Sequence, residues 1–294
     1  MKQKKLLIAQ ILCLFMAACS STVENRECTT GTVRVHINDF TVTYDEFEHP
    51  TRAAQDIAEY NNIKSIILAF YNGGTEVYKE TQLRDDVSTY KTFGEFEFPL
   101  PMGVYTMVVL GYNKDVGDEL VLSSPTQAEY TEGRIRETFV HTQEVNVNST
   151  NPMDISATLS RIIAKLQVAS TDGRASNATN VRMTMSAGGK AFNPTTGLAT
   201  VNTGFSNIVG ISVAAGSRSS SISYILLDTD EQTMDVTIET LDANGNTLFS
   251  KHVENVQFKR NRVTKLTGKM YTSESVGSSF QLETEWLPDH IHNF

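Results

Sequence analysis

The chain has 294 residues, a formal net charge of −9 and a hydrophobic content of 40%. This length accommodates one large domain or two ordinary ones. No basic patch stands out, and phosphate binding needs clustered Lys and Arg, so nucleic acid is excluded as an expected partner.

The N-terminal stretch MKQKKLLIAQILCLFMAACSS has the form of a secretory leader. Three lysines precede an apolar run that is shorter than the about 20 residues needed to cross a bilayer. Two alanines directly before Cys19 resemble the bacterial lipobox, in which residues 1–18 are removed and the cysteine is acylated. We therefore expect Cys19 to carry lipid such as palmitate and to hold the chain on a membrane. The alternative is an ordinary signal peptide that is cut nearby, with Cys19 incidental.

Cleavage before Cys19 would change both the charge and the cysteine count of the chain. Loss of the three leader lysines lowers the formal charge to about −12 (−9 minus 3). An anionic surface fits an exported domain that is tethered by lipid. Cys28 would be the one remaining unmodified thiol, so we expect no internal disulfide.

The folded part is predicted to start after a polar tether, residues 19–32. In GTVRVHINDFTVTYDEF the apolar residues alternate with polar ones, and the phase flips after Asp39. This pattern predicts a half-buried strand with a bulge. Its apolar positions are Val33, Val35, Ile37, Phe40 and Val42. The following HPTRAAQDIAEYNN is interpreted as a connecting segment with room for one helical turn.

Strand patterns then recur to the end of the first half. IKSIILAFYNGGTEVYKE predicts a hairpin that turns at Asn72-Gly73, because both turn residues need positive φ. Phe96, Phe98 and Leu100 alternate with acidic residues. VYTMVVLGYN is apolar on both faces, which is typical of a strand buried on both sides.

The second half starts near Pro152 and repeats this short-strand pattern. The apolar residues from Ile155 to Leu166 have helical spacing, but we interpret IIAKLQVA as a strand from about Ile162. Frequent short strands with turns between them indicate sandwiches. The fold prediction is all-β, with two β-sandwich domains in tandem over residues 33–152 and 153–294.

Motifs of catalysis are absent from the sequence: there is no GxSxG, HExxH, P-loop or CxxC. We therefore expect no enzyme and no cofactor. His290 and His292 could pair on a metal, but a polar tail explains them as well. The acidic turn at Asp228, Asp230 and Glu231 lacks the spacing of a Ca²⁺ loop, so no metal site is expected.

Aromatic residues in or beside loops offer a second hypothesis, a surface lipoprotein that binds glycans by stacking. Ordinary packing is the competing explanation for them. These residues are Tyr44, Phe47, Tyr60, Tyr90 and Tyr130.

The C-terminal stretch FKRNRVTKLTGKMYTSESVGSSFQLETEW resembles the end of the Bacteroidetes fimbrillin family, the lipoprotein subunits of protease-assembled, type V-like pili. The shared features are a basic RN-x-x-T segment, an LTG turn, a YT pair and a last alternating strand that ends near a Trp. PTRA, FPLPMGVYTMVVLGYN and SRIIAKLQV also look like the family. The resemblance therefore touches the whole chain after the leader.

This resemblance implies two transthyretin-like, Greek-key sandwiches and a structural role in a cell-surface fimbria (pilus) that supports adhesion. Such subunits reach the cell outer membrane as lipoproteins. A processing protease cuts after the first strand, and donor-strand exchange fills the groove with a strand from another fimbrial subunit. Anchor subunits keep their lipid instead, and the sequence leaves stalk, tip and anchor positions open.

Carried onto this sequence, the resemblance gives specific residues a role. The removable strand would be residues 33–44, expected at a sheet edge, because a lost edge strand leaves unpaired backbone groups that template another strand. The protease would cut at Arg52, which is otherwise an ordinary surface arginine. The donor strand would carry one apolar face and could pair within its own domain before assembly. Its inward residues are Phe280, Leu282, Thr284 and Trp286.

Overall fold

The computed structural model describes residues 29–43, 52–57, 60–272 and 281–283, with the backbone alone at 38–43, 52–56 and 281–283. In these residues the chain is all-β, as predicted, with twenty strands and no helix. The alternation of apolar and polar residues accounts for this, because it places one side of each strand against a core. Consequently, the described residues include no helix of the length and apolar character that a membrane span requires.

The strands are numbered in chain order. The first ten are β1 (Thr30–Thr43), β2 (Arg52–Asp56), β3 (Ser65–Asn72), β4 (Thr75–Leu83), β5 (Glu95–Pro101), β6 (Gly103–Tyr112), β7 (Glu119–Ser124), β8 (Gln127–Glu132), β9 (Thr138–Val147) and β10 (Met153–Arg161). The last ten are β11 (Ala164–Ser170), β12 (Asn180–Met185), β13 (Ala191–Asn193), β14 (Leu198–Ala199), β15 (Phe205–Gly210), β16 (Ser220–Ile225), β17 (Glu231–Leu241), β18 (Thr247–Lys259), β19 (Val263–Gly268) and β20 (Gln281–Glu283).

The first sandwich is built from one eight-stranded sheet. Its order is β2-β1-β10-β9-β6-β3-β4, and β5 also pairs with β1. β9 and β10 pair only at Ser160↔Val140 and Arg161↔Phe139, so the sheet turns a corner there. The inner faces of β1, β5 and β10 then meet those of β3, β6 and β9 in a single core.

A second, smaller sheet covers the outer face of β3 and β6. Its order is β14-β13-β8-β7, so it combines a hairpin from the first half with two strands from the second half. Val108, Leu110 and Tyr112 of β6 are buried against this sheet, while Met107 and Val109 face the first core. The prediction that this strand is buried on both sides is confirmed.

The second sandwich consists of two four-stranded sheets, in the orders β16-β11-β19-β20 and β15-β12-β17-β18. Their facing sides enclose a core that includes Leu166, Met183, Val236 and Phe258. At one side, Asn207 of β15 donates a buried hydrogen bond of 2.6 Å to Ser223 of β16. This contact ties the edges of the two sheets together.

Four local features can be compared with the predictions. The bulge in β1 is confirmed, because its register with β10 shifts between Ile37 and Asp39. The first hairpin turns at Gly73 and Gly74, both with positive φ, and not at Asn72-Gly73, because Asn72 still pairs with Thr75. Residues 52–56 form a strand where a helical turn had been allowed for. The helical spacing after Pro152 was misleading as well, since residues 153–161 form a strand.

The division between residues 152 and 153 stays a prediction. One fact bears on it: β10 pairs with β1 and packs in the first core through Ile155, Ala157 and Leu159. A division drawn by strand pairing would therefore fall between β10 and β11.

Candidate functional site: the β1 slot

β1 lies in the middle of the first sheet. On one side it pairs in parallel with β10, from Val33↔Met153 to Thr41↔Ser160. On the other side it pairs antiparallel with β5 along its first half and with β2 along its second half. The expectation of an edge strand is therefore wrong: β1 fills a space between β10 and the β5/β2 pair, which we call the β1 slot. A strand with two partners has both rows of its backbone groups satisfied.

The inward face of β1 belongs to the core. Val33 and Val35 are fully buried, and Ile37 is 2% exposed. Burial of such a side chain contributes about 1.5–3 kcal/mol, which is an upper estimate because unfolded chains already bury some surface. The backbone of Phe40 and Val42 lies in β1, but their side chains are outside the described residues. An empty β1 slot would thus expose at least three apolar pockets.

The outward face of β1 carries basic residues between acidic neighbours. Arg34 lies 3.3 Å from Glu97 of β5 and 3.9 Å from Asp154 of β10. His36 lies 3.6 Å from Asp154 and 3.9 Å from Glu95 of β5. All five side chains are at least a third exposed, so each pair contributes well under about 1 kcal/mol. The arrangement is nevertheless uniform: the slot presents carboxylates, and β1 presents the cation Arg34 and the basic residue His36.

Gly31 marks a tight point in the slot. A Cβ atom added at this position would lie 2.5 Å from the carbonyl oxygen of Ser149 and 3.0 Å from a methyl group of Val147. A contact of that length with backbone cannot be relieved by turning a side chain. A larger residue at this position would require the backbone near Ser149 to move.

Arg52 lies at the first position of β2, where it pairs with Thr43 at the end of β1. The sequence had placed it in a polar connection, whereas its backbone is part of a sheet. Cleavage at Arg52 stays a prediction, and it would require these paired residues to separate. The lipidation candidate Cys19, the leader and the start of the tether lie outside the described residues.

The terminal strand is present as β20, at the outer edge of its sheet. Only three residue pairs join it to β19 among the described residues: Lys265↔Glu283, Leu266↔Leu282 and Thr267↔Gln281. The strand is therefore paired within its own domain, as one of the two readings of the sequence anticipated. Phe280, Thr284 and Trp286 lie outside the described residues, as do His290, His292, Tyr44 and Phe47.

The C-terminal motifs that carry the fimbrillin resemblance have definite structural roles. Asn261 adopts a positive φ of 59° in the turn between β18 and β19. Asp172 accepts hydrogen bonds from the backbone N–H groups of Met270 at 2.8 Å and Tyr271 at 2.9 Å. The hydroxyl of Thr272 also donates to Asp172, at 3.2 Å. The YT pair thus fixes the chain shortly after the end of β19.

A buried polar cluster, which the sequence reasoning missed, joins the two sandwiches. Arg161 at the end of β10 lies 2.7 Å from Glu137, and their side chains are 1% and 6% exposed. Arg161 also donates to Asn261 at 2.9 Å and lies over the ring of Phe139 at 5.0 Å. Tyr60 donates to Glu137 at 2.8 Å, and burial, followed by the charge of Glu137, raises the pKa of its phenol. The sequence contained one signal for this cluster, the arginine in the apolar stretch LSRII, because a buried charge needs a partner.

The acidic turn does not converge on a common point. Asp228 accepts from Asn202, Asp230 lies 2.6 Å from Arg260, and Glu231 lies 2.6 Å from Lys259. Each acidic side chain thus has its own neighbour. Within the described residues, no group of three potential metal ligands is found.

The described tyrosines proposed for sugar stacking are engaged in packing. Tyr130 is fully buried and hydrogen-bonds Thr138, and Tyr60 belongs to the polar cluster. The hydroxyl of Tyr90 donates to the carbonyl oxygen of Arg84 at 2.6 Å. Tyr60 and Tyr130 are thus packed residues, whereas Tyr90 is partly exposed and its ring lies tilted against Phe93, with 5.7 Å between the ring centroids.

The profile of a family of unknown function (DUF6562) matches residues 29–290. The chain belongs to this family. In this DUF6562 protein the matched region begins at the residue before β1 and ends after β20, so it includes both β1 and β20. No curated protein matches the chain in sequence.

Several solved structures are similar to this DUF6562 protein. A candidate adhesin from Bacteroides ovatus has a TM-score of 0.52 at 9% identity, over 90% of this chain and 100% of the other. The fimbrial anchor protein Mfa2 from Porphyromonas gingivalis has a TM-score of 0.49 at 13% identity, over 85% and 95%. A fimbrial assembly protein from Parabacteroides distasonis has a TM-score of 0.41 at 13% identity, over 86% and 94%. The similarity to the Bacteroides ovatus structure demonstrates a shared fold and, at 9% identity, nothing beyond the fold.

Proposed function

We propose that the chain is a structural subunit of a cell-surface fimbria that accepts a strand of a neighbouring subunit in its β1 slot. The observation that carries this proposal is the position of β1. It is the first strand of the described chain, it is central in its sheet, and it continues into the rest of the fold only through residues 44–51. One cut after β1 would therefore convert a covalently attached strand into an exchangeable one.

Loss of β1 without a replacement is energetically unfavourable, whereas exchange of β1 for another strand is not. Departure of the strand would expose the pockets of Val33, Val35 and Ile37 and would strip three neighbouring strands, β10, β5 and β2, of their backbone partners. A replacement strand restores both at once, which is the physical basis of strand addition. β20 suits the role of donor because it lies at the outer edge of its sheet, where β19 is its one partner among the described strands.

The same proposal gives the chain a location and partners. The leader and Cys19 would bring it to the cell outer membrane as a lipoprotein, and an arginine-specific processing protease would release it into a fimbria. Its partners would be other fimbrial subunits, and its role would be adhesion without catalysis. The shared fold with a candidate adhesin supports this direction.

The test uses the chain from Ser20 onward, an arginine-specific protease, intact mass and size-exclusion chromatography. Arg218 lies in an exposed loop, so an Arg218→Gln background removes a competing site. We expect a cut at Arg52, followed, when other fimbrial subunits are added, by loss of monomer into larger species that contain the fragment from residue 53 onward without β1. Arg52→Gln is the matched control and should stay monomeric. A chain that is cut at Arg52 and retains β1 as a monomer, even with other subunits added, would contradict the proposal.

One observation favours a second candidate, a fimbrial anchor that keeps its lipid and its first strand. Because Arg52 pairs with Thr43, the bond to be cut lies in a sheet. An anchor would resist the protease at Arg52 and stay in the membrane fraction with an acylated N-terminal peptide. A stalk subunit would lose that peptide on cleavage, so mass spectrometry of the membrane fraction separates the two.

A further inference from the structure

Three carboxylates, those of Glu95, Glu97 and Asp154, lie on the outward side of the β1 slot. They influence which strand can replace β1. Arg34 lies directly opposite Glu97 on β5 and directly opposite Asp154 on β10. Two residues later, His36 lies directly opposite Glu95. Cross-strand pairs of opposite charge stabilise a sheet, and like charges directly opposite each other destabilise it. A replacement strand meets the same three carboxylates in the same places.

We propose that the β1 slot selects a partner strand with alternating apolar and basic residues and rejects the terminal strand of a second copy of this chain. This inference rests on the proposed function. It gives the partner a chemistry: apolar residues at the positions of Val33, Val35 and Ile37, with Lys or Arg at the positions of Arg34 and His36. The fimbria would then contain this chain next to a different subunit.

The terminal strand FQLETEW has the opposite charge on its outward side. When Phe280 replaces Val33, Glu283 takes the place of His36 and meets Glu95. In this alignment the polar Thr284 also enters the pocket of Ile37. One like-charge contact and one poorly filled pocket result.

A shift of this strand by two residues makes the match worse. When Leu282 replaces Val33, Glu283 and Glu285 take the places of Arg34 and His36. Phe280 then falls at the position of Gly31, where a Cβ atom alone would lie 2.5 Å from a carbonyl oxygen. The slot therefore adds a third requirement, a glycine two residues before the first buried apolar residue.

The experiment offers peptides to the chain that has been cut after Arg52. The first peptide is this chain's own residues 29–43, the second is that peptide with Arg34→Glu and His36→Glu, and the third is residues 278–290. A fourth, with Arg34→Lys and His36→Lys, is the conservative control. Native mass spectrometry reports the peptide bound in place of β1, and fluorescence competition gives relative affinities.

We expect the own-strand and Lys peptides to bind comparably and the Glu peptide to bind about tenfold more weakly at low salt. The terminal peptide should bind more weakly still. At about 0.5 M salt the difference between the Lys and Glu peptides should shrink, because these charges are exposed and screened. In the variant Glu95→Lys with Glu97→Lys, the preference between these two peptides should reverse.

Two outcomes would overturn the proposal. If the Glu peptide or the terminal peptide binds as well as the own-strand peptide, the charge rule is wrong while strand exchange stands. If no peptide enters, including the own-strand peptide, then strand exchange itself fails and the inference falls with it. Mass spectrometry distinguishes these cases in one series.

Discussion

Removal of Arg161 should destabilise the protein more than removal of any exposed arginine. Its guanidinium lies 2.7 Å from Glu137 and 2.9 Å from Asn261, and the side chains of the ion pair are 1% and 6% exposed. Arg161→Ala would leave the carboxylate of Glu137 buried, with Tyr60 as its remaining hydrogen-bond donor among these contacts. Breaking a buried pair by deletion of one partner costs about 3–5 kcal/mol.

Urea unfolding with a comparison of midpoints and slopes measures this loss. Arg182→Ala is the matched control, because Arg182 pairs with Glu239 at 3.1 Å while the two side chains stay 31% and 20% exposed. We expect the control to lose about 1 kcal/mol or less. In the double variant Arg161→Met with Glu137→Gln, no buried charge is left without its counter-ion, so much of the lost stability should return. An Arg161→Ala protein no less stable than Arg182→Ala would refute this account of the junction.

Two further predictions concern stability at alkaline pH and the hydrogen bonds that Asp172 accepts from the backbone after β19. Burial raises the pKa of the Tyr60, Tyr78 and Tyr130 phenols above the usual value near 10. The unfolded chain would thus ionise first, so the free energy of unfolding should hold steady below about pH 10 and fall above it. Phenolate absorbance that titrates near pH 10 for every tyrosine of the folded protein would contradict this. Asp172→Ala removes two charge-assisted hydrogen bonds to backbone N–H groups and should cost about 2 kcal/mol in urea unfolding, whereas Asp172→Asn should recover part of that loss. Equal stability of the Ala and Asn variants would show that the hydrogen bonds accepted by the side chain of residue 172 do not stabilise the protein.

The local part of the fold was predictable from the sequence because the period of two is a local property. The alternation in GEFEFPL gave a strand with Phe96, Phe98 and Leu100 inward, and all three are buried. The phase flip in β1 gave its bulge. Both features depend on which residues of a strand face the core, and the alternation of neighbouring residues is enough to predict this.

Strand pairing over long distances was not predictable in the same way. β1 pairs with β10, about 120 residues later, and β8 pairs with β13 from the other half of the chain. A strand with one buried face alternates in the same way whether it lies at an edge or in the middle of a sheet. For that reason the sequence could indicate β1 as a candidate for exchange but misplaced it at an edge. Its outward basic residues became informative only once Glu95, Glu97 and Asp154 were seen beside them.

The central claim is that β1 must leave its slot for the protein to assemble, and a disulfide lock tests it most directly. Arg34 and Glu97 are directly opposed on antiparallel strands, and Cα atoms in such pairs lie about 4.5–5.5 Å apart, within reach of a disulfide. Arg34→Cys with Glu97→Cys in a Cys28→Ser background should therefore join β1 to β5. Arg182→Cys with Glu239→Cys, equally opposed on β12 and β17, is the control that leaves β1 free.

Each locked protein would be cut after Arg52, mixed with other fimbrial subunits and followed by size exclusion in the oxidised and the reduced state. We predict that the β1–β5 lock keeps the cut protein monomeric until a reductant is added, whereas the control assembles in both states. Assembly of the oxidised β1–β5 protein at the rate of the control would contradict the claim that the β1 slot is where subunits join.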